Sequence, residues 1–235
     1  MKLANSLILT GQTEEHLCQP DEKNALAKPI HKEALNAFME LRKDAAKQGF
    51  DLQIDSGFRS FEQQLSIWNR KATGQLAVLD SQAVPLDITK LTEEELIFSI
   101  LRWSALPGAS RHHWGTDIDV SDANATPEGY EIEQIPEEVN DDGMFGPLHR
   151  WLDEQMAANK SHGFFRPYDA DRNGVAPERW HLSYQPVSEE YISLLTVDLL
   201  HETLSHADIE LKSTLLDKLD EIYDRFVLNI GAYLS

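Results

Sequence analysis

The sequence predicts an α+β fold, with helices packed on a small antiparallel sheet. Three observations predict it. Helical periodicity fills the early and late parts of the 235-residue chain, short stretches of two-residue alternation fall in its middle, and neither an internal repeat nor a low-complexity linker interrupts it. That length is ample for burying a core, as one generous domain or two small ones.

Taken in order, Leu3-Ala4-Asn5-Ser6-Leu7-Ile8-Leu9 reads as a strand-like lead or a loose start. It is broken by Asn5 and Ser6 and lacks the small-residue cleavage site of an export signal. Residues from His31 to Gln48 are predicted as a helix, since Ala34, Leu35, Phe38, Leu41 and Ala45 share a face and Gly49 follows as a stop. Asp51 to Asp55 alternates as a strand with Leu52 and Ile54 inward, and Ser56 to Ser60 turns into a second helix reaching Lys71. Thr92 with Glu95 forms a capping box before Leu96-Ile97 and Ile100-Leu101, and Pro107-Gly108 closes that helix. Thr116 to Val120 alternates again, as does a piece from Gly129 to Ile135. A short helix over Pro147 to Met156 leads to Phe164-Phe165, and Trp180 to Tyr184 is a last strand closed by Pro186. Two helices, Glu189–His206 and Ile209–Ala232, are expected to finish the chain, with their ten acids on a solvated face.

Charge narrows the partners. With 40 Asp and Glu against 21 Lys and Arg, the net charge is −19, which disfavours nucleic acid and anionic membrane surfaces because both bind through Lys and Arg. No run approaches the ~18 apolar residues of a membrane span, so membrane insertion is not expected. Cys18 is the single cysteine and excludes an internal disulfide. The lack of a recognisable leader makes a cytoplasmic location the expectation.

Three segments carry chemistry. Ser110-Arg111-His112-His113-Trp114-Gly115-Thr116-Asp117-Ile118-Asp119 holds two His and two Asp in a short span, a donor set suited to a first-row divalent metal. Alternation puts Asp117 and Asp119 on one face, so spacing chooses neither between them nor between His112 and His113. A polar turn with Asp side chains capping backbone N–H groups explains the same residues. The second segment, Glu178-Arg179-Trp180-His181, could supply a third ligand and a general base. Three residues apart on a strand they would face opposite ways, so the pairing requires Glu178 to sit in the loop before the strand. The third, Ser56-Gly57-Phe58-Arg59-Ser60 with Gln64, places an Arg just past a strand end, where it could meet a carboxylate or a developing oxyanion.

Together these segments resemble those of the VanY-like zinc D-alanyl-D-alanine carboxypeptidases and dipeptidases, the LAS-type, hedgehog-like metallopeptidases. That family carries S-G-Y-R-S with a following Gln, S-x-H-x-x-G-x-A-x-D and E-x-W-H in the same order, and the resemblance spans residues 25 to 186. It implies one Zn2+ per chain held by His112, Asp119 and His181, with Glu178 as general base and acid and Arg59 as oxyanion stabiliser. Ser110 and Gln64 are implied near metal and substrate. The implied partner is a peptidoglycan-derived peptide, its D-alanyl-D-alanine end being cleaved. An L-alanyl-D-glutamate endopeptidase and a non-catalytic zinc-stabilised binding module are the rivals. Three positions depart from the pattern: Phe58 for Tyr, Asp117 for Ala and Arg179 for the common Pro. Asp117 would face the metal side and orient His113 or a ligand. The expected organisation is a lead over 1–24, a peptidase domain over 25–186, and an acidic helical extension over 187–235 packed on the same domain.

Two other patterns lack what they need. His201-Glu202-Thr203-Leu204-Ser205 misses the second His of a helical zinc motif, and Asp169 to Gly174 opens like a calcium loop but reaches Trp180 where a bidentate Glu belongs. No Ser has Lys three residues on, as a serine-type D-alanine peptidase requires.

Overall fold

The structure, a computed structural model, describes residues 3–21 and 26–233; the expected boundary between 24 and 25 lies outside them. In chain order it begins with α1 (Leu3–Leu9), the ribbon β1 (Leu17–Cys18) and β2 (Ile30–His31), α2 (Ala34–Lys47), β3 (Leu52–Ser56), α3 (Phe61–Ala72) and α4 (Glu93–Leu101). A 3-10 turn at Arg111–Trp114 leads into β4 (Asp117–Asp122), followed by α5 (Pro136–Val139), α6 (Gly146–Ala157), β5 (Phe164–Phe165) and β6 (His181–Tyr184). The tail holds α7 (Gln185–Leu194), α8 (Val197–His206), α9 (Lys212–Asp217) and α10 (Leu219–Ile222), ending in a wide turn at Tyr223–Val227. The expected α+β class is borne out.

Alternation sets the two faces of the main sheet, which is antiparallel throughout in the order β3-β4-β6-β5. Ile118 and Val120 of β4 join Leu52, Ile54, Leu182 and Phe164 on one face, where Phe38, Leu41 and Ala45 of α2 and Leu148 and Leu152 of α6 cover them. The opposite face carries Asp117 and Asp119, and register sets Asp119 against His181 and Asp117 against Ser183. A one-residue irregularity in β3 between Ile54 and Ser56 releases the strand end toward this polar face.

A second core lies among helices. Trp68 of α3, Ile97 and Ile100 of α4 and Trp114 pack with Leu200 and Leu204 of α8, Leu215 and Ile222. The indole N–H of Trp68 donates to Glu210 O at 3.1 Å, and Asn69 both donates to Asp208 O and accepts from Glu210 N. All ten tail acids are exposed, as their helical spacing predicted.

Several local expectations change. Residues 3–9 form a helix rather than a strand-like lead, with Leu9 buried in the helical core and its carbonyl accepting from the Trp114 indole. His31 belongs to β2, so the first long helix begins at Ala34. Gly129 to Ile135 is not a strand: the N–H groups of Glu133, Gln134 and Ile135 point to the Glu138 carboxylate, which takes those three from any ladder. Pro186 opens α7 instead of closing the strand, a position where its missing N–H is harmless. The long tail helices also divide. Thr196 caps a fresh helix through its hydroxyl, and Leu211 adopts a left-handed φ of 62°, so the pieces bend round the core that one straight rod would leave.

Candidate metal centre

Three backbone devices deliver the polar groups. The 3-10 turn after Ser110 ends at Gly115, whose φ of 64° favours glycine and whose Cβ, if added, would lie 2.9 Å from His31 N. That turn aims His112 and His113 apart before β4 begins. Gly57 comes so close to the β2 approach that a Cβ there would lie 2.5 Å from Pro29 O, and its own carbonyl accepts from His112 Nδ1 at 2.9 Å. Glu178 lies outside the strand, as its pairing with His181 requires; His181 N donates back to Glu178 O at 3.0 Å.

His112, Asp119 and His181 converge, with one donor atom from each within 4.8 Å of the others. His112 Nε2 is 3.4 Å from Asp119 Oδ2, and His181 Nδ1 is 3.2 Å from Asp119 Oδ1 and 3.4 Å from Glu178 Oε2. All four side chains are buried or nearly so. Hydrogen bonding behind the site assigns the ring nitrogens. His112 gives its Nδ1 proton to Gly57 O, and His181 gives its Nε2 proton to Asp117 Oδ1 at 3.0 Å, so the opposite nitrogens are the ones turned inward, where a metal would replace the proton that Asp117, Asp119 and Glu178 favour on His181. Asp119 Oδ1 is buried without a hydrogen-bond partner. Two inward imidazoles and an unsatisfied carboxylate oxygen are a donor set that fits a divalent metal such as zinc.

His113 lies apart from this group. Its Nδ1 meets Arg59 O at 2.6 Å and its Nε2 accepts from Gly108 N at 3.0 Å, leaving neither nitrogen for a metal. Burial holds its pKa down at about 3. Asp117 therefore orients His181 and makes no hydrogen bond to His113. Its Oδ1 also accepts from Arg111 Nε at 2.7 Å, and its Oδ2 from Thr116 at 2.7 Å and Ser183 at 3.1 Å. Arg111 is itself buried, lying 4.9 Å over the Trp114 ring and donating to Ser183 Oγ. Burial alone would raise the Asp117 carboxyl; Arg111 and the His181 hydrogen bond outweigh it and keep it ionised.

The same competition governs the neighbours. Burial would raise Asp119, but His112 and His181 bring it down to about 2. Glu178 has a raised pKa because burial outweighs its contact with His181, which poises it to take up a proton. Burial lowers His112 to about 4, which keeps it neutral near pH 7.

A cavity of about 220 Å3 opens over these groups, and Arg59, Ser110 and Glu178 line it. The Arg59 guanidinium is braced by Gln64 Oε1 at 3.0 Å and Ser56 Oγ at 3.1 Å. Gln64 is fully buried, with its amide nitrogen donating to Ala105 O, and it is not part of the lining; a position beside substrate is thus corrected to one behind Arg59. Ser110 Oγ is buried and without a partner.

Sequence reading missed Gln134, Tyr168, Trp103 and Trp180, which also line the cavity. Gln134 donates to Asp119 Oδ2 at 3.2 Å from a backbone φ of 58°. Tyr168 packs edge-on to His181 at 5.0 Å. Both come from irregular loops, where no periodicity marks the residue that points inward. The Glu178-to-His181 segment itself signalled Trp180. His201 and Glu202 are exposed on α8, and Asp171 pairs with Arg102 in a polar turn.

A family model described as VanY, D-alanyl-D-alanine carboxypeptidase, matches residues 27–187. An uncharacterized protein of Haemophilus influenzae (strain Rd) is 41% identical over 106 residues, covering 45% of this chain and 72% of its own. A second from the same organism is 27% identical over 123 residues, covering 52% and 93%. Among solved structures, VanYB in complex with D-alanine-D-alanine superposes with a TM-score of 0.50 at 21% identity, over 83% of this chain and 92% of that one, a likeness of fold.

Proposed function

This chain belongs to the VanY D-alanyl-D-alanine carboxypeptidase family, and we propose that it is a zinc-dependent peptidase that removes D-alanine from the end of a peptidoglycan stem peptide. The observation that carries this reading is the meeting of Glu178 and Arg59 with the His112, Asp119 and His181 group around one cavity. A purely structural metal has use for neither a buried general base nor a braced guanidinium.

His112 Nε2, Asp119 and His181 Nδ1 would hold the ion. When bound, zinc supplies a Lewis acid that lowers the pKa of water toward ~7 and polarises a carbonyl. Glu178 then accepts the proton of the attacking water and returns it to the leaving amine. Arg59, held by Gln64 and Ser56, meets the negative charge that develops on the peptide carbonyl oxygen. Bracing matters because a preset donor needs no reorganisation as that charge appears.

Incubating zinc-loaded protein with a panel of stem peptides and weighing the products tests the reading. Loss of a terminal D-alanine is expected, and Glu178→Ala should retain the metal while turnover falls at least 100-fold. Cleavage between L-alanine and D-glutamate would replace the carboxypeptidase by the endopeptidase. Normal turnover in Glu178→Ala would remove the role given to Glu178.

A further inference from the structure

The two oxygens of Asp119 are not equivalent. Oδ1 lies 3.2 Å from His181 Nδ1 and is buried without a hydrogen-bond partner, whereas Oδ2 accepts from the side-chain amide of Gln134 at 3.2 Å. A buried carboxylate oxygen with no donor is costly, so one that stands beside two inward ring nitrogens is kept for a cation. The last torsion of an Asp side chain is broad and roughly two-fold, so rotation would exchange the two oxygens. The Gln134 hydrogen bond opposes that exchange.

The contact comes from outside the strands and the turn that carry the ligands. Gln134 is half-buried in the cavity wall, in a loop 15 residues beyond Asp119. Its backbone φ of 58° is left-handed, a conformation that a residue with a Cβ adopts at a cost. Glu138 meets that cost. It is buried, and its carboxylate accepts from Glu133 N and Gln134 N at 2.9 Å each and from Tyr130 Oη at 2.8 Å. Backbone strain that the surroundings hold in place is characteristic of residues with a task at a site, and here the strained residue caps an oxygen of a candidate ligand. An amide also suits the charge around it. Burial, with Asp119 and Glu138 adding to it against the Ser121 hydrogen bond, holds the nearby Asp55 carboxyl up at about 6. A neutral donor satisfies Asp119 in that company where another acid would repel it.

We propose that Gln134 is a positioning residue of the metal centre, whose amide engages Asp119 Oδ2 and so reserves Oδ1 as the single carboxylate oxygen offered to the ion. A catalytic zinc takes three protein ligands and keeps one position open for water. A second oxygen from Asp119 would compete for that position beside Glu178. Partners that hydrogen-bond a ligating carboxylate set its orientation, as Asp117 does for His181 from the other side of the site. The proposal rests on the metal assignment within the proposed function and stands whichever peptide bond is cleaved.

Chelator competition at pH 7 measures the zinc affinity of the wild type and two variants. Gln134→Met keeps nearly the same side-chain length and removes the donor. Gln134→Asn keeps the amide but is one methylene shorter, so it cannot span a contact already at 3.2 Å while Glu138 pins the backbone. Asparagine also tolerates the left-handed conformation well. Both variants should bind zinc about tenfold more weakly, while the urea midpoint of metal-free Gln134→Asn stays at or above that of the wild type. A merely structural role would instead move affinity and stability together. Affinity within about twofold of wild type in either variant overturns the proposal, as does a loss that accompanies a lower midpoint in Gln134→Asn. Cobalt in place of zinc reports the number of ligands, because a four-coordinate ion absorbs more strongly in the visible than a five-coordinate one. Weaker bands are expected in Gln134→Met, and bands identical to those of the wild type overturn the single-oxygen assignment. The two readings fail separately. Unchanged affinity in the variants removes the role of Gln134 and leaves the peptidase, whereas weakened zinc binding in both, with no cleavage by the wild type, supports Gln134 and removes the peptidase. A wild type that holds neither ion overturns both.

Discussion

Asp117 shows how much one carboxylate can organise. It fixes the His181 proton on Nε2, receives Arg111, and leaves Nδ1 free to face Asp119 and Glu178. Removing a group that orients a ligand typically costs 10–100-fold in metal affinity. Asp117→Ala should accordingly weaken zinc binding within that range, as measured by chelator competition at pH 7, and an unchanged affinity would show that Arg111 and the sheet alone hold His181. Alternation put Asp117 and Asp119 on one face, but which of them faces His181 Nδ1 depends on the β4–β6 register, and that is a long-range property. His112 and His113 are adjacent in sequence and separate only because the 3-10 turn and Gly115 send their rings to different partners. A titrating histidine outside the site gives a second test. His31 is buried against His16 and Tyr191, and burial followed by the Lys32 charge lowers its pKa to about 4. The unfolded chain protonates it near 6.5, so its contribution to stability is full above that pH and is lost as pH falls toward 4, at up to about 1.4 kcal/mol per pH unit. Urea titrations at pH 7 and pH 5 should show the gap between wild type and His31→Gln narrowing at the lower pH by about 1–2 kcal/mol. A gap that stays constant would mean that His31 titrates normally.

Helices with a clear apolar face were legible because their signal is local: the Thr92–Glu95 capping box and the α2 stripe both formed where the sequence placed them. The stretch before α5 misled because alternation there serves no sheet. Its backbone closes around Glu138, a buried carboxylate that accepts from Tyr130 Oη, Glu133 N and Gln134 N, all at 2.8–2.9 Å. No periodic pattern announces a side chain that replaces a ladder. The arrangement holds Gln134 over Asp119 despite a left-handed backbone that costs about 1–2 kcal/mol. Glu138→Ala leaves several buried donors unmatched, each costing about 1–3 kcal/mol where water does not reach it. Faster amide exchange confined to residues 130–138, with loss of about 2 kcal/mol or more of stability, is the expected outcome. Exchange that rises equally throughout would make Glu138 a general support rather than the clasp of this loop.

One core fills the apolar face of the sheet and another lies among the helices, and the chain after β6 packs on the second of them. Apolar spacing in the tail foretold that it would be helical and that its acids would face water. Where it breaks was not legible, because Thr196 and Leu211 turn the chain for the sake of a surface formed by α3 and α4, far away in sequence. Leu215 is completely buried there among α4, α8 and α10. Truncating a buried Leu to Ala costs about 2–5 kcal/mol through lost transfer energy and the cavity left behind. For Leu215→Ala the whole loss should appear in a single cooperative unfolding transition, since tail and α3–α4 share one apolar cluster and neither can open without exposing the other. Zinc affinity measured well below the transition should stay within about twofold of wild type, because the ligands stand on β4, β6 and the turn before β4, which are braced from the opposite face by α2 and α6. Two separated transitions, with only the lower one moved by the substitution, would instead make the tail an independently melting unit resting on a self-sufficient sheet domain.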